Sequence, residues 1–215
     1  MIKYLKNNPD DVTSWFFTHL WMSVLPVLIG LAVALPIGWV ASHYRWAYPP
    51  ITNLAGLLYT IPSLALFIIM PSILGTRILS PVNMVVALTV YSVALLVRVV
   101  ADGLNSVSAD VRAAATAMGF TGVGRFLRVD LPIAVPVITA GVRVATVSNV
   151  SLVSVGALIG IPQLGSLFTE GFGRYITGIV LLGILLCLAL ALVLDGLIVL
   201  ASRTLTPWQR AVAKR

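Results

Sequence analysis

Few side chains in this 215-residue chain can do chemistry, and their spacing limits what that chemistry is. His19 and His43 are far apart and flank one apolar run near its two ends, and Cys187 lies alone inside another. A single cysteine forms no internal disulfide, and no Cys or His neighbour stands at metal-ligand spacing from it. Ser151 and Ser154 have no histidine nearby in sequence to act as a base, and there is no H-E-x-x-H, so an intramembrane hydrolase is disfavoured. No G-x-x-x-x-G-K-[ST] is present to cradle a nucleotide. An ion-coupled carrier predicts acidic groups in mid-membrane. Only Asp195 qualifies; it stands near the end of its run, where pairing with Arg143 or Arg98 is the duller role. What remains is a set of neutral polar and small residues in apolar surroundings: Tyr59-Thr60-Ile61-Pro62-Ser63, and Thr139, Gly141, Thr146, Ser148, Asn149, Ser151, Ser154 and Gly156. Such residues suit a helix that lines a pathway or packs closely against others. Arg143, within the second group, must snorkel, pair or face water.

The elements that carry these residues follow from composition. Hydrophobic residues make up 59% of the chain and charged residues 10%, and the mean hydropathy is +1.03. A soluble domain carries about a quarter charged residues. The reading is an all-α polytopic membrane protein, one transmembrane domain over 1–215. At about 20 apolar residues per span, the expected spans are 15–42, 51–73, 82–101, 132–159 and 176–200. Pro26 and Pro36 should kink the first without breaking it, and Pro62 should weaken the second. Arg98 and Asp102 form an i,i+4 pair at the end of the third. The segment 160–175 is Gly-rich, amphipathic, and too short and polar to span, which suits an interfacial hairpin or re-entrant segment. Met1 to Asp11 is polar and no A-x-A site follows, so a cleavable signal is not expected.

Between the third and fourth spans lies a loop, 102–131, whose stretch from Ala109 to Pro132 is organised differently. Asp110 is placed to cap a short alanine-rich helix. Gly119 is placed to end it, with Gly122 and Gly124 keeping the following chain loose. Arg112, Arg125 and Arg128 make the stretch basic. Alternate loops fall on opposite sides, so Arg45, Arg98, Arg112, Arg125, Arg128, Arg203, Arg210, Lys214 and Arg215 share one side, against Lys3, Lys6, Arg77 and Arg174 on the other. The positive-inside rule then puts the loop and the C-terminus in the cytoplasm and the N-terminus outside. The net charge of +7 is explained the same way, and no basic face recurs elsewhere to suggest nucleic acid.

On these residues the chain resembles the permease subunits of bacterial ABC importers of the binding-protein-dependent, methionine-importer-like type. Their cytoplasmic motif reads E-A-A-x-x-x-G, nine residues, then I-x-L-P. Here Ala113, Ala114, Ala115 and Gly119 match the first part, and Val129, Leu131 and Pro132 the second, with Ala113 in place of the glutamate. The run L-P-I-A-V-P-V-I-T-A-G-V-R-V-A-T-V-S-N-V and the later A-L-I-G-I-P-Q-L-G-S-L-F-T-E-G resemble the osmoprotectant subgroup, which carries glycine betaine, carnitine or choline. Gly160-Ile161-Pro162-Gln163 departs from that group's G-A-G-G-L-G.

The resemblance implies a non-enzymatic subunit of the bacterial cytoplasmic (inner) membrane. Its partners would be a cytoplasmic ABC ATPase dimer, a second permease identical or homologous to it, an extracytoplasmic substrate-binding protein, and lipid. ATP and Mg would be held by the ATPase, and no cofactor by this chain. A coupling helix with Arg112, Ala113, Ala114, Ala115, Gly119, Leu131 and Pro132 would dock on the ATPase, with Arg112, Arg125 and Arg128 meeting acidic groups on the partner or the lipid surface. Tyr59, Ser63, Ser148, Asn149 and Ser151 would line a low-affinity pathway, where a strong charge would trap a zwitterion instead of passing it. Another small solute, such as an amino acid, is the alternative cargo.

Overall fold

The computed structural model describes residues 2–207. Arg210, Lys214 and Arg215, counted above on the cytoplasmic side, lie outside these residues, as does the side chain of Lys3. Short α1 (Ile2–Asn7) leads into α2 (Pro9–His43). Pro9 pre-sets the first-turn φ, and Asp10 and Asp11 complement the positive end of the helix dipole. The helix therefore starts well before Trp15. It absorbs Pro26 and Pro36 without a break, so the 35 residues are one helix.

The second expected span is instead two helices. α3 (Tyr48–Thr60) and α4 (Ser63–Leu74) meet at 99°. Pro62 has no N–H and forces the residue before it out of the helical region; Ile61 is extended, at φ −64° and ψ 130°. The Tyr91 hydroxyl donates to the Ile61 carbonyl that the break exposes, as membrane interiors require.

α5 (Pro81–Asn105) follows, and after it the inter-span loop: α6 (Ala109–Ala117), α7 (Gly122–Arg125) and a π-helical turn over Phe126–Asp130. That turn runs directly into α8 (Leu131–Val155), continued by a 3-10 turn, Gly156–Ile159. The stretch after Gly119 is therefore helical from Gly122 onward, not loose. Pro132 has no N–H for the Arg128 carbonyl, and its ring crowds the turn before it. The wider turn relieves this, with the Leu131 N–H bonding to the Phe126 carbonyl. α9 (Ser166–Gly173) occupies the interfacial segment, and α10 (Thr177–Leu205) completes the fold.

Among the described residues four helical runs are long and apolar enough to cross a membrane, and the bent α3–α4 pair would make a fifth. α5 is central, packed against α2, α8 and the bent pair. In lipid, apolar side chains gain nothing by leaving their solvent, so close packing must hold helices together. α2 achieves it with Gly30, Ala34 and Gly38 facing α5. A Cβ at Gly30 would lie 2.5 Å from Ser92 Cβ, and one at Gly38 2.6 Å from Val100 Cγ1. Two core clusters result, one around Met22, Phe67, Met84 and Leu88 and one around Val27, Leu96, Val100 and Ile138. A third joins α2, α9 and α10 through Val12, Leu164, Leu167 and Ile179.

Candidate functional site

The loop between α5 and α8 is built around a carboxylate. Asp130 is buried at 6% exposure. Arg112 Nε lies 3.7 Å from its Oδ1 and Arg125 Nε 3.4 Å from its Oδ2. Arg112 also donates from Nη2 to the Leu104 carbonyl at 2.6 Å. Two of the three loop arginines are thus turned inward, clamping α6 and α7 against the end of α5. This corrects the expectation that all three face a partner or lipid; only Arg128 of the three is exposed. Buried beside two cations, Asp130 offsets its desolvation by pairing.

The cap of α6 also differs from expectation. Ser108, not Asp110, precedes the first turn and accepts from the Val111 N–H at 3.4 Å. The exit does involve Gly119, whose φ is +89°. The Gly119 N–H bonds to the Thr116 carbonyl and the Phe120 N–H to the Ala115 carbonyl, each at 3.0 Å. These are the two bonds of a Schellman motif, which needs a left-handed residue at this point. Ala115 is buried beneath the helix while Ala113 and Ala114 are exposed. Leu131 packs into the core around Val100, and Pro132 begins α8. Val111 and Met118 are exposed on the loop outside the long apolar runs, and so form apolar surface that lipid does not require, whereas the exposed Val123 and Leu127 belong to the run Gly122–Ile159.

The pathway candidates divide into groups. Tyr59, Ser148 and Asn149 converge, with Tyr91 and Ser92, on one small, partly open void of about 10 Å³. That is room for one water at most. Asn149 is buried and donates to the Ser23 carbonyl at 3.3 Å and to Ser92 Oγ at 3.2 Å, so here it joins α2, α5 and α8. On the other side of Tyr59 an open groove of about 370 Å³ runs between α3 and α5, past Gly56 and Leu95 to Arg98 and Asp102. The Arg98–Asp102 pair, 3.8 Å apart, marks its mouth, and Tyr48 donates to Asp102. Tyr59 and Leu95 border both groove and void, and on the void side the Tyr59 ring meets that of Tyr91 edge to face at 5.8 Å. Ser63 borders neither space. Ser151 lies apart, in a shallow groove between α8 and α10.

The segment 160–175 is tied down by buried polar contacts that link it to α2 and α8. Gln163 is fully buried. Its Oε1 accepts from the Gly165 N–H at 2.5 Å and lies 2.9 Å from His19 Nδ1, while its Nε2 donates to the Ser154 carbonyl at 3.2 Å. His19 Nε2 is 2.9 Å from the Val150 carbonyl. Expected near a span end, His19 is in fact enclosed within α2, because the helix begins at Pro9. At the rim Tyr4 donates to Glu170, and Arg174 pairs with the same carboxylate at 3.0 Å. Burial, then the hydrogen bond to Glu170, pushes the Tyr4 phenol up to about 12.

A long first helix, a bent second pair, a short interhelical loop helix and a buried central helix define the membrane subunit of a transporter. The chain belongs to the family described as binding-protein-dependent transport system inner membrane component, whose model matches residues 27–207. It is 34% identical to the osmoprotectant import permease protein OsmW of Salmonella typhimurium, over 96% of this chain and 97% of that one. To the choline transport system permease protein OpuBB of Bacillus subtilis it is 28% identical, over 96% and 94%. Its fold is that of a chain of the MetNI methionine ABC transporter in an inward-facing conformation, with a TM-score of 0.76 at 19% identity, covering 91% of this chain and 96% of that one. The family is one of multi-pass inner-membrane permease subunits, distinct from the ATPase, and membership implies an ATPase and a substrate-binding protein as partners.

Proposed function

We propose that this chain forms the translocation pathway of an ATP-driven importer for a small osmoprotectant: glycine betaine, carnitine or choline. The observation that carries the reading is end-to-end similarity to an osmoprotectant import permease, covering nearly all of both chains. The chain itself is non-enzymatic and holds no cofactor; the ATPase dimer holds ATP and Mg. Two permeases, identical or homologous, pair across the membrane, with the C-terminus and the α6 loop in the cytoplasm and the N-terminus outside. α6 docks on the ATPase through its exposed Ala113–Ala114 face and the surrounding apolar patch. Gly119, Leu131 and Pro132 set the angle at which docking movement reaches α8, and Arg112 holds the element rigid through Asp130.

The groove between α3 and α5 is the inner half of the pathway, closed by Tyr59 against Tyr91. Tyr59, Ser63, Ser148, Asn149 and Ser151 contribute as these helices separate, and the segment 160–175 gates the outer side. Beyond the Arg98–Asp102 pair at its mouth, the groove's apolar walls and the Tyr59 hydroxyl support this reading, since a weak, neutral surface passes a zwitterion without holding it.

Reconstitution tests it. Proteoliposomes containing this permease, its ATPase and its binding protein should accumulate labelled glycine betaine, carnitine or choline only with ATP and binding protein. Uptake driven by a proton or sodium gradient without ATP would refute the ATP-driven reading. ATP-driven uptake of an amino acid with no osmoprotectant uptake would replace the cargo.

A further inference from the structure

Arg143 stands midway along α8, about 18 Å from either end at 1.5 Å per residue. Its Nε and Nη2 donate to Asp195 Oδ1 and Oδ2 of α10 at 2.6 and 2.8 Å, a two-pronged pair. The pair is not sealed inside the protomer: the Arg143 side chain is 44% exposed and that of Asp195 27%. Lipid at that depth is a poor neighbour for charge. The space beside it is an open, surface-facing cavity of about 450 Å³ lined by Ala140, Arg143, Val144, Val147, Ser148 and Asp195. Ser148 also borders the void behind Tyr59 and Tyr91, so the cavity adjoins the candidate pathway. Two of the five N–H donors of Arg143 are spent on Asp195, and the others meet no protein acceptor among the described residues.

From this geometry we infer a transient binding site for a small zwitterion, in which the free edge of Arg143 takes the carboxylate and Asp195 faces the cationic group. The inference rests on the proposed osmoprotectant cargo and names where such a molecule pauses. A juxtaposed cation and anion match a molecule that carries both. Because the pair is neutral overall, the cavity does not trap that molecule as a lone charge would. A solute with a cationic group but no carboxylate, such as choline, uses only half of the site.

The test uses the complete transporter in proteoliposomes. The double variant Arg143→Gln with Asp195→Asn leaves a neutral polar amide at each position and removes both charges. It should lower ATP-driven glycine betaine uptake at least tenfold, while binding-protein-stimulated ATP hydrolysis stays within twofold of wild type. Wild-type betaine uptake in the double variant would overturn the inference. If wild type itself carries no osmoprotectant, the proposed cargo fails instead, and the two failures are thereby told apart.

A second measurement does not need the charge variants to assemble. With Cys187→Ala removing the native thiol, Ala140→Cys places a thiol in the cavity. A water-soluble maleimide should label it, and millimolar glycine betaine should slow labelling at least fivefold where choline slows it less than twofold. Labelling that betaine leaves unchanged, or a thiol closed to maleimide because a second copy of this chain covers that face and cross-links through it, would overturn the inference.

Discussion

Between α2 and α5 the glycines stand where a side chain has no room; after α6 a glycine stands where there is nothing but room. A Cβ at Gly30 would collide with Ser92 at 2.5 Å, whereas one at Gly119 would meet nothing within 4 Å. What forbids a side chain at Gly119 is its φ of +89°, not its surroundings. The membrane half of the molecule is thus specified by shape and the loop by backbone conformation. Variants at the two kinds of position should fail differently. Gly30→Val should cost about 3 kcal/mol, because helices packed this closely cannot absorb an isopropyl group without moving apart. The measurement is thermal unfolding of the detergent-purified complex, with loss of folded yield as the extreme. A stable Gly30→Val protein with normal transport would show that the α2–α5 contact is softer than its geometry implies.

Asp130→Asn probes the polar side of the same contrast. The membrane core is held by contact, but the loop is held by one buried carboxylate between Arg112 and Arg125. Removing that charge leaves two cations turned inward, at about 2 kcal/mol, below the range for a fully buried pair because both arginines are partly exposed. Protease nicking confined to the loop and weaker ATPase retention should accompany it, with the spans still inserted. Gly119→Val should follow at about 1–2 kcal/mol, the cost of a left-handed β-branched residue. Its functional effect should exceed its effect on stability: ATP hydrolysis should uncouple from uptake, and normal uptake would count against the docking role of α6.

These contrasts also separate what was legible in the sequence from what was not. The spans were legible because lipid demands long apolar runs, and the capping glycine of α6 because the left-handed region almost demands glycine. The right angle at Pro62 was only half legible: proline announces a weak point, but the partner that meets the freed Ile61 carbonyl, Tyr91, lies 30 residues away. The spacing Gly30-x-x-x-Ala34-x-x-x-Gly38 was a readable packing signal that went unused. Asp130 sits at the variable position of the I-x-L-P segment, and only the fold brings it between arginines that lie 18 and 5 residues before it. Gln163, noted as a departure from a glycine-rich pattern, proved to be a hub whose partner His19 is 144 residues distant. Local propensity speaks through neighbours in sequence, and buried polar pairing does not.

Tyr4 extends the comparison to the rim of the outer segment. Its pKa rises from 10.0 to about 12, through burial first and the bond to Glu170 second. Folding therefore favours the neutral phenol. The contribution is fully present below pH 10 and is lost as pH rises from 10 toward 12, where the unfolded chain has already released the proton. Tyr4→Phe should cost about 1 kcal/mol at pH 8, typical of one partly exposed hydrogen bond. The gap in melting temperature between wild type and variant should close as pH rises from 10 toward 12. A gap that stays constant over that window would mean that Tyr4 acts through packing alone.

The smallest expected effect is the most informative about docking. Ala113 occupies the motif position where a glutamate is usual, and its side chain is exposed on α6. Ala113→Glu buries nothing and disturbs no cap, so its cost should be within about 0.5 kcal/mol, as for ordinary surface changes. If docking depends on the shape of an alanine-rich face held rigid by Asp130, uptake should also stay within twofold of wild type. Positions 113 and 119, six residues apart, then become a direct comparison. A change that alters charge but not backbone should be silent, and one that alters backbone but not charge should uncouple. A large gain in uptake for Ala113→Glu would break that comparison, since it would show that the partner still offers a cation to this position and that docking in this chain works without it at a measurable cost.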